Sequence, residues 1–429
     1  MDIDDSAEEA AFRVKARTWL EANAIPRGAP DDFADGFFEG MDDEELMKRS
    51  AVWQRTLWEG GWAGISYPRE WYGRGGNVMQ EVIFAEEMAA FGVTTGAFMV
   101  AHTMVGPAML DLGTDEQRHR YLPAMLRGDE MWCQLFSEPE AGSDLAGLAT
   151  RARRDGDLFI VNGQKVWTSN ADTADFGILL ARTDPDASKH RGITYFLLDM
   201  TTPGIEIRPL RQMTGDAHFS EVFLTDVAIP ASCVLGGEAG IGQGWPAAIH
   251  TLANERAMIG GNSLMVDLDD LVTLARERGL IDDPRVRQEL AATHIRGELL
   301  RYLGYRARTA LANGRPPGPE TSVMKLFMAD HLARSGSLAM ALEGADGMLD
   351  GGVLAGPGTA PAGDPRAQQA RLRTWRFLHA PSIGIAGGTN EVQRGIIGER
   401  VLGLPRDPKP VADAPRPDLG SGSGPGARN

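Results

Sequence analysis

The sequence predicts an α+β chain in three parts: an N-terminal helical domain, a middle antiparallel β domain, and a C-terminal domain resembling a four-helix bundle. Three observations predict it. Apolar residues recur at helical spacing from Ser6 to about Arg127, and short β-type runs separated by Gly, Asp and Asn turns fill about Met131 to Leu235. Helical spacing then returns from about Gly244 to Leu404. These shifts set the expected boundaries at 1–130, 131–240 and 241–405, with 406–429 a flexible tail.

In the first block the helical stripes are Ala11, Val14, Trp19 and Leu20, then Leu46, Val52, Trp53 and Leu57, then Val82, Ile83, Met88 and Ala89. The middle block carries Leu158–Val161, Phe176–Leu180, Ile193–Leu198 and Val222–Leu224, short strands whose tight turns suit a barrel or sandwich. The last block reads as long helices near 245–278, 284–313, 320–348 and 389–402. Between them Gly351–Gly363 holds too many breakers for regular structure and reads as a surface loop. The string Gly240-Ile241-Gly242-Gln243-Gly244 lacks the spacing of a dinucleotide fingerprint and reads as a helix-entry loop.

Composition narrows the function. A chain of 429 residues with 43% hydrophobic content can bury two or three linked cores. No run approaches a membrane span, and the acidic opening MDIDDSAEEAAF is unlike a basic signal peptide, so a cytoplasmic protein is expected. A net charge of -16 disfavours a nucleic-acid surface. Cys133 and Cys233 have neither disulfide-framework nor zinc-site spacing, so no metal is expected.

Two segments carry the chemistry: Phe136-Ser137-Glu138-Pro139-Glu140-Ala141-Gly142-Ser143-Asp144 and Trp167-Thr168-Ser169-Asn170. Small hydroxyl residues and free loop amides in the first can bond a ring edge and a pyrophosphate, while the indole of the second can cover a ring. Together with Gly60–Pro68, Gly113–Gln117, Tyr121-Leu122-Pro123, Phe219–Val222 and Gly387–Arg394, and with the helical, β, helical order, they resemble the acyl-CoA dehydrogenase family from about residue 8 to 406. The resemblance implies FAD, acyl-CoA thioester substrates, electron-transfer flavoprotein as acceptor, and a homodimer or homotetramer, or a heterotetramer with a related subunit. It places the pyrimidine edge of the flavin at Ser137, with Phe136 also among the cofactor-binding residues, phosphate at Gly142 and Ser143, the ring under Trp167, and a bond near N5 at Ser169. Ser143 also borders substrate. Thr389 and Glu391 would reach the adenosine diphosphate part from the neighbouring subunit.

Abstracting the α-proton of a thioester requires a carboxylate over the substrate. Many family members place it immediately before the Gly-Thr of the C-terminal signature, where this chain has Gly387. The family's second arrangement takes the glutamate from the first long helix of the last domain, and Glu255-Arg256 matches it. Glu255 is therefore the expected base, Arg256 orients carboxylate or substrate, and the Gly387 amide bonds the thioester oxygen. The family's Arg-x-x-Phe-Gly segment is matched only by Ala275-Arg276-Glu277-Arg278-Gly279, and its Gln-x-x-Gly-Gly segment by Ala341–Gly347, with alanine at the glutamine and second glycine positions. Both departures fall on the inter-subunit part of the FAD site. Two functions are thus carried: an acyl-CoA dehydrogenase forming a trans-2-enoyl-CoA, and a non-catalytic partner subunit that completes another chain's site.

Overall fold

The computed structural model describes residues 5–34, 43–259, 268–313, 315, 318, 320–348 and 365–405. Helix α1 (Ala7–Asn23) starts at a capping box, in which the Ser6 hydroxyl accepts from the Glu9 amide and the Glu9 carboxylate accepts from Ser6. Helices α2 (Asp43–Glu59), α3 (Val78–Met88), α4 (Gly106–Leu112) and α5 (Asp115–Arg127) follow, with a π-helical turn at Ala101–Val105 leading into α4. Asn77 with Gln80 and Thr114 with Gln117 repeat the capping box at α3 and α5. These helices close over Trp53, Trp62 and Phe84, with Trp62 stacked on Phe84 at 4.8 Å.

The middle sheet contains β1 (Trp132–Leu135), β2 (Arg151–Asp155), β3 (Leu158–Ser169), β4 (Phe176–Arg182), β5 (Ile193–Asp199), β6 (Ile205–Leu210) and β7 (Phe219–Pro230). Its strands run β1-β4-β2-β3-β7-β6, with β5 also on β4. Ladders β2/β3, β3/β7, β6/β7 and β4/β5 are antiparallel, as expected for short strands and tight turns. At β4 the sheet is mixed, because β1 lies parallel to it and β2 meets it at one parallel bridge, Arg151 to Arg182. The physical reason is the long crossing segment after β1, which removes the option of a hairpin there. Strand β5 is apolar without alternation because both its faces are covered. Phe196 and Leu198 face the sheet interior, and Ile193, Tyr195 and Leu197 face the helices.

The chain then enters α6 (Gly244–Ile259), α7 (Leu268–Glu277), α8 (Pro284–Ala312), α9 (Glu320–Glu343), α10 (Pro365–Ile383) and α11 (Asn390–Ile396). Gly244 is required where α6 leaves the sheet: a Cβ there would lie 2.6 Å from the Thr194 carbonyl carbon. The single helix expected over 245–278 is α6 and α7, and the residues between them, 260–267, lie outside the described residues. So do the expected Gly351–Gly363 surface loop and the 406–429 tail. Helix α10 has no counterpart among the expected helices. Its buried face includes Arg371 and Arg373, which interrupt the apolar stripe. Trp375 of α10 donates its indole N–H to Asp216, 2.5 Å away in the loop before β7, and so ties the bundle to the β domain. No described helix is long and apolar enough to cross a membrane.

Candidate functional site

The site is built around a defect in the β3/β7 ladder. Pairing runs Lys165 to Val222 and then Thr168 to Ser220, so β3 advances three residues while β7 advances two. The extra residue makes a bulge. Lys165 and Val166 both point inward, Trp167 points outward and is 59% exposed, and Thr168 points inward again. Trp167 has φ of 61°, a left-handed conformation that costs a bulky L-residue roughly 1–3 kcal/mol and marks functional positions. Its indole makes an edge contact with Phe219 at 6.0 Å, leaving a face open. Ser169, half-buried, shares that outer side two residues on.

The Phe136–Asp144 segment is brought directly against this bulge. The Val166 amide donates to the Ser137 carbonyl at 3.0 Å. Phe136 is buried edge-on against Tyr195 at 5.9 Å, while Ser137 is half-buried and Gly142 and Ser143 are exposed. Lys189 reaches over to hold Asp144, next to Ser143, at 2.5 Å. Behind the bulge Lys165, 0% exposed, donates to Glu138 at 2.8 Å and to the Phe136 carbonyl at 3.1 Å. Glu138 also accepts from the amides of Ala149 at 2.5 Å and Thr150 at 3.0 Å. Burial pushes the Glu138 carboxyl up, but the Lys165 charge and these donors outweigh it and hold it below its ordinary value. Burial pulls the Lys165 ammonium below its ordinary value.

Position 255 falls on α6, one helical turn beyond buried Thr251, whose hydroxyl lies 3.3 Å from that of Tyr195. The Glu255 and Arg256 side chains lie outside the described residues. Gly387 and Gly388 both have positive φ, 64° and 87°, and the Gly387 carbonyl accepts from Gln393. Thr389 caps α11 by accepting from the Val392 amide. Glu391 is exposed and pairs with Arg394 at 3.0 Å. The geometry thus joins Phe136, Ser137, Trp167 and Ser169 in one cradle and sets Gly387, Thr389 and Glu391 together on another segment.

The two atypical segments meet each other. Arg278 pairs with Glu343 and, at 2.6 Å, with Asp346, while Arg373 joins Glu343 at 2.7 Å and Asp270 at 2.8 Å. A third cluster sits between the β domain and α10. His379 stacks on Trp375 at 4.4 Å, and burial lowers it to about 4.

The cradle residues fit a flavin. An open indole held outward at a strained backbone can serve as a ring platform, and half-buried Ser137 and Ser169 lie on the two segments that meet at the bulge. Sequence reasoning missed Lys165 and Glu138 as site-forming residues. The available signal was a lysine inside an otherwise apolar strand pattern, two residues before the indole.

Comparisons with known proteins identify the family. The family models described as acyl-CoA dehydrogenase N-terminal, middle and C-terminal domain match residues 6–129, 133–227 and 242–402. Acyl-CoA dehydrogenase IpdE1 of Mycobacterium tuberculosis is 36% identical over 93% of this chain and 98% of its own length. Acyl-CoA dehydrogenase FadE34 of the same organism is 40% identical over 78% of this chain, which spans 44% of that longer relative. The solved Tcur3481-Tcur3483 steroid ACAD superposes with a TM-score of 0.78 at 28% identity, covering 95% of this chain and 100% of that one. The ChsE4-ChsE5 complex from Mycobacterium tuberculosis gives a TM-score of 0.73, also at 28% identity, covering 95% and 100%.

Proposed function

The chain belongs to the acyl-CoA dehydrogenase family of oxidoreductases, and from that premise we propose that it is FAD-dependent and converts an acyl-CoA thioester to the trans-2-enoyl-CoA. The observation that carries this is the outward Trp167 on its bulge, beside Ser137 and Ser169, a ring platform with polar edges. Bound FAD supplies the acceptor for the hydride leaving the β-carbon. Glu255 takes the α-proton, and Arg256 orients that carboxylate or the substrate. The Gly387 amide donates to the thioester oxygen as negative charge develops there. Ser143, exposed at the loop tip, borders the substrate, and the Gly142–Ser143 amides face phosphate. Electrons then pass to an electron-transfer flavoprotein, in the cytoplasm.

Two features sharpen substrate and assembly. The relative described as a steroid ACAD makes a ring-bearing acyl group the first class to test. Arg278, bound by Glu343 and Asp346 within its own chain, supports a heterotetramer in which a related subunit supplies the inter-subunit FAD contacts, as the ChsE4-ChsE5 complex suggests by its composition. Thr389 and Glu391 are then this chain's contribution across that interface. A purely non-catalytic role is not favoured, because the cradle segments are both present and joined.

The test is the visible spectrum of the purified protein, alone and with a co-expressed related subunit, before and after anaerobic addition of straight, branched and ring-bearing acyl-CoA thioesters. A flavin band that bleaches with one of them is expected. A flavin that none of them reduces in either preparation refutes the reaction.

A further inference from the structure

We propose that Lys165 and Glu138 form a positioning clamp that sets the Trp167 bulge before any cofactor is bound. The proposal rests on the flavin reading above and adds residues that act on the platform from inside the β domain. Neither can touch a ring stacked on Trp167, because Lys165 is wholly buried and Glu138 nearly so. Their action has to pass through the backbone.

The route is visible in the hydrogen bonds. A bulge normally leaves its extra residue unpaired. Here the Val166 amide, turned away from β7, is taken by the Ser137 carbonyl at 3.0 Å. On either side of Ser137, the Phe136 carbonyl and the Glu138 carboxylate are both held by the Lys165 ammonium. Glu138 is fixed in turn by the Ala149 and Thr150 amides, and its own amide and carbonyl close a two-bond turn with Ala141. One buried ion pair therefore locks the loop that receives Val166 to the strand that carries Val166. With both ends fixed, the next residue is the indole at φ 61°.

Burying such a pair is a weak source of stability, since apolar residues of similar volume often do as well or better. Its location argues for a geometric role: it bridges the two segments that present Ser137 and Trp167, and it faces away from them. A slipped bulge restores strict alternation and turns Trp167 toward the interior.

The experiment uses the full chain stripped of flavin. Lys165→Met alone leaves a buried carboxylate without its cation, so it is paired with Lys165→Met/Glu138→Gln, which removes both charges and preserves volume. Two quantities are read: the FAD dissociation constant by titration, and amide hydrogen exchange at Val166–Thr168 in the apoprotein. The double variant is expected to bind FAD about 10- to 100-fold more weakly and to lose exchange protection at Val166. In a Trp167→Gly background, where the platform is gone and positive φ is unstrained, the same pair of substitutions should change affinity by less than about 3-fold. An equal loss in both backgrounds, or unchanged protection at Val166, overturns the clamp. An unaltered apoprotein that takes up no FAD in any preparation overturns the flavin reading instead, and the exchange measurement then decides the clamp by itself.

Discussion

Two buried carboxylates, Glu138 in the β domain and Glu343 in the C-terminal bundle, are held by cations in ways that point in opposite directions. Glu138 has one lysine and two backbone amides, and that lysine lies two residues before the outward Trp167. Glu343 is gripped by two arginines, Arg278 after α7 and Arg373 on α10, with Asp270 and Asp346 balancing the charge. The first arrangement holds open a surface that a ring can use. The second ties the partly exposed Arg278 to buried Glu343 beside Arg373. Within one chain, similar chemistry is thus found once beneath an outward indole and once inside the helical bundle.

Breaking the second carboxylate should have the largest effect. Glu343→Ala leaves Arg278 and buried Arg373 without their shared anion, and a loss of about 3–5 kcal/mol is expected in urea unfolding. FAD affinity of the folded fraction should stay within about 3-fold, in contrast to the clamp variants. Next comes chemistry: Glu255→Gln should lower turnover by about 100-fold or more, about 2.7 kcal/mol, while flavin content is retained. Near-normal turnover would remove Glu255 from the reaction.

A pH titration separates the halves at smaller amplitude. His331, buried in α9 beside the Arg296 charge, is lowered by burial from 6.5 to about 4. The folded state therefore binds fewer protons than the unfolded chain between those values. Stability is full above about pH 6.5 and falls as pH drops toward 4, by about 1–3 kcal/mol from this residue. Glu138, lowered below 4.5, keeps its contribution until the pH falls beneath that ordinary value. Thermal melts from pH 6.5 to 4.5 should accordingly lose part of their slope in His331→Gln, with buried His379 and His102 supplying the rest, and keep it in Lys165→Met/Glu138→Gln. The smallest effect is expected from Asp144→Asn, which removes an exposed pair with Lys189 and should cost below about 1 kcal/mol.

Much of this was legible in the sequence, and the rest was hidden for identifiable reasons. The helical, β, helical order follows from hydrophobic period, and the two cradle segments meet as their residue types suggested. Helix α10 escaped notice because buried Arg371 and Arg373 break its apolar stripe, and their environment is a tertiary property. Strand β1 beside β4 is a non-local pairing that no turn signal announces. The Lys165–Glu138 pair was invisible because a lysine in a strand reads as an outward charge. Lys165 nevertheless shares the inward phase of Phe159 and Val161, and the added residue that follows it turns Trp167, not Lys165, off that phase. Conversely, the glycine at 387 stands out in the sequence for the side chain it lacks, whereas its left-handed backbone is a property of the folded loop.

That conformation bears on what a substitution at 387 can do. With φ of 64° at Gly387, followed by 87° at Gly388, a glutamate placed at 387 would meet a left-handed backbone costing roughly 1–2 kcal/mol. A side chain introduced there therefore bears that backbone cost before it can do any chemistry, and a Gly387→Glu variant reports on the loop as much as on the carboxylate.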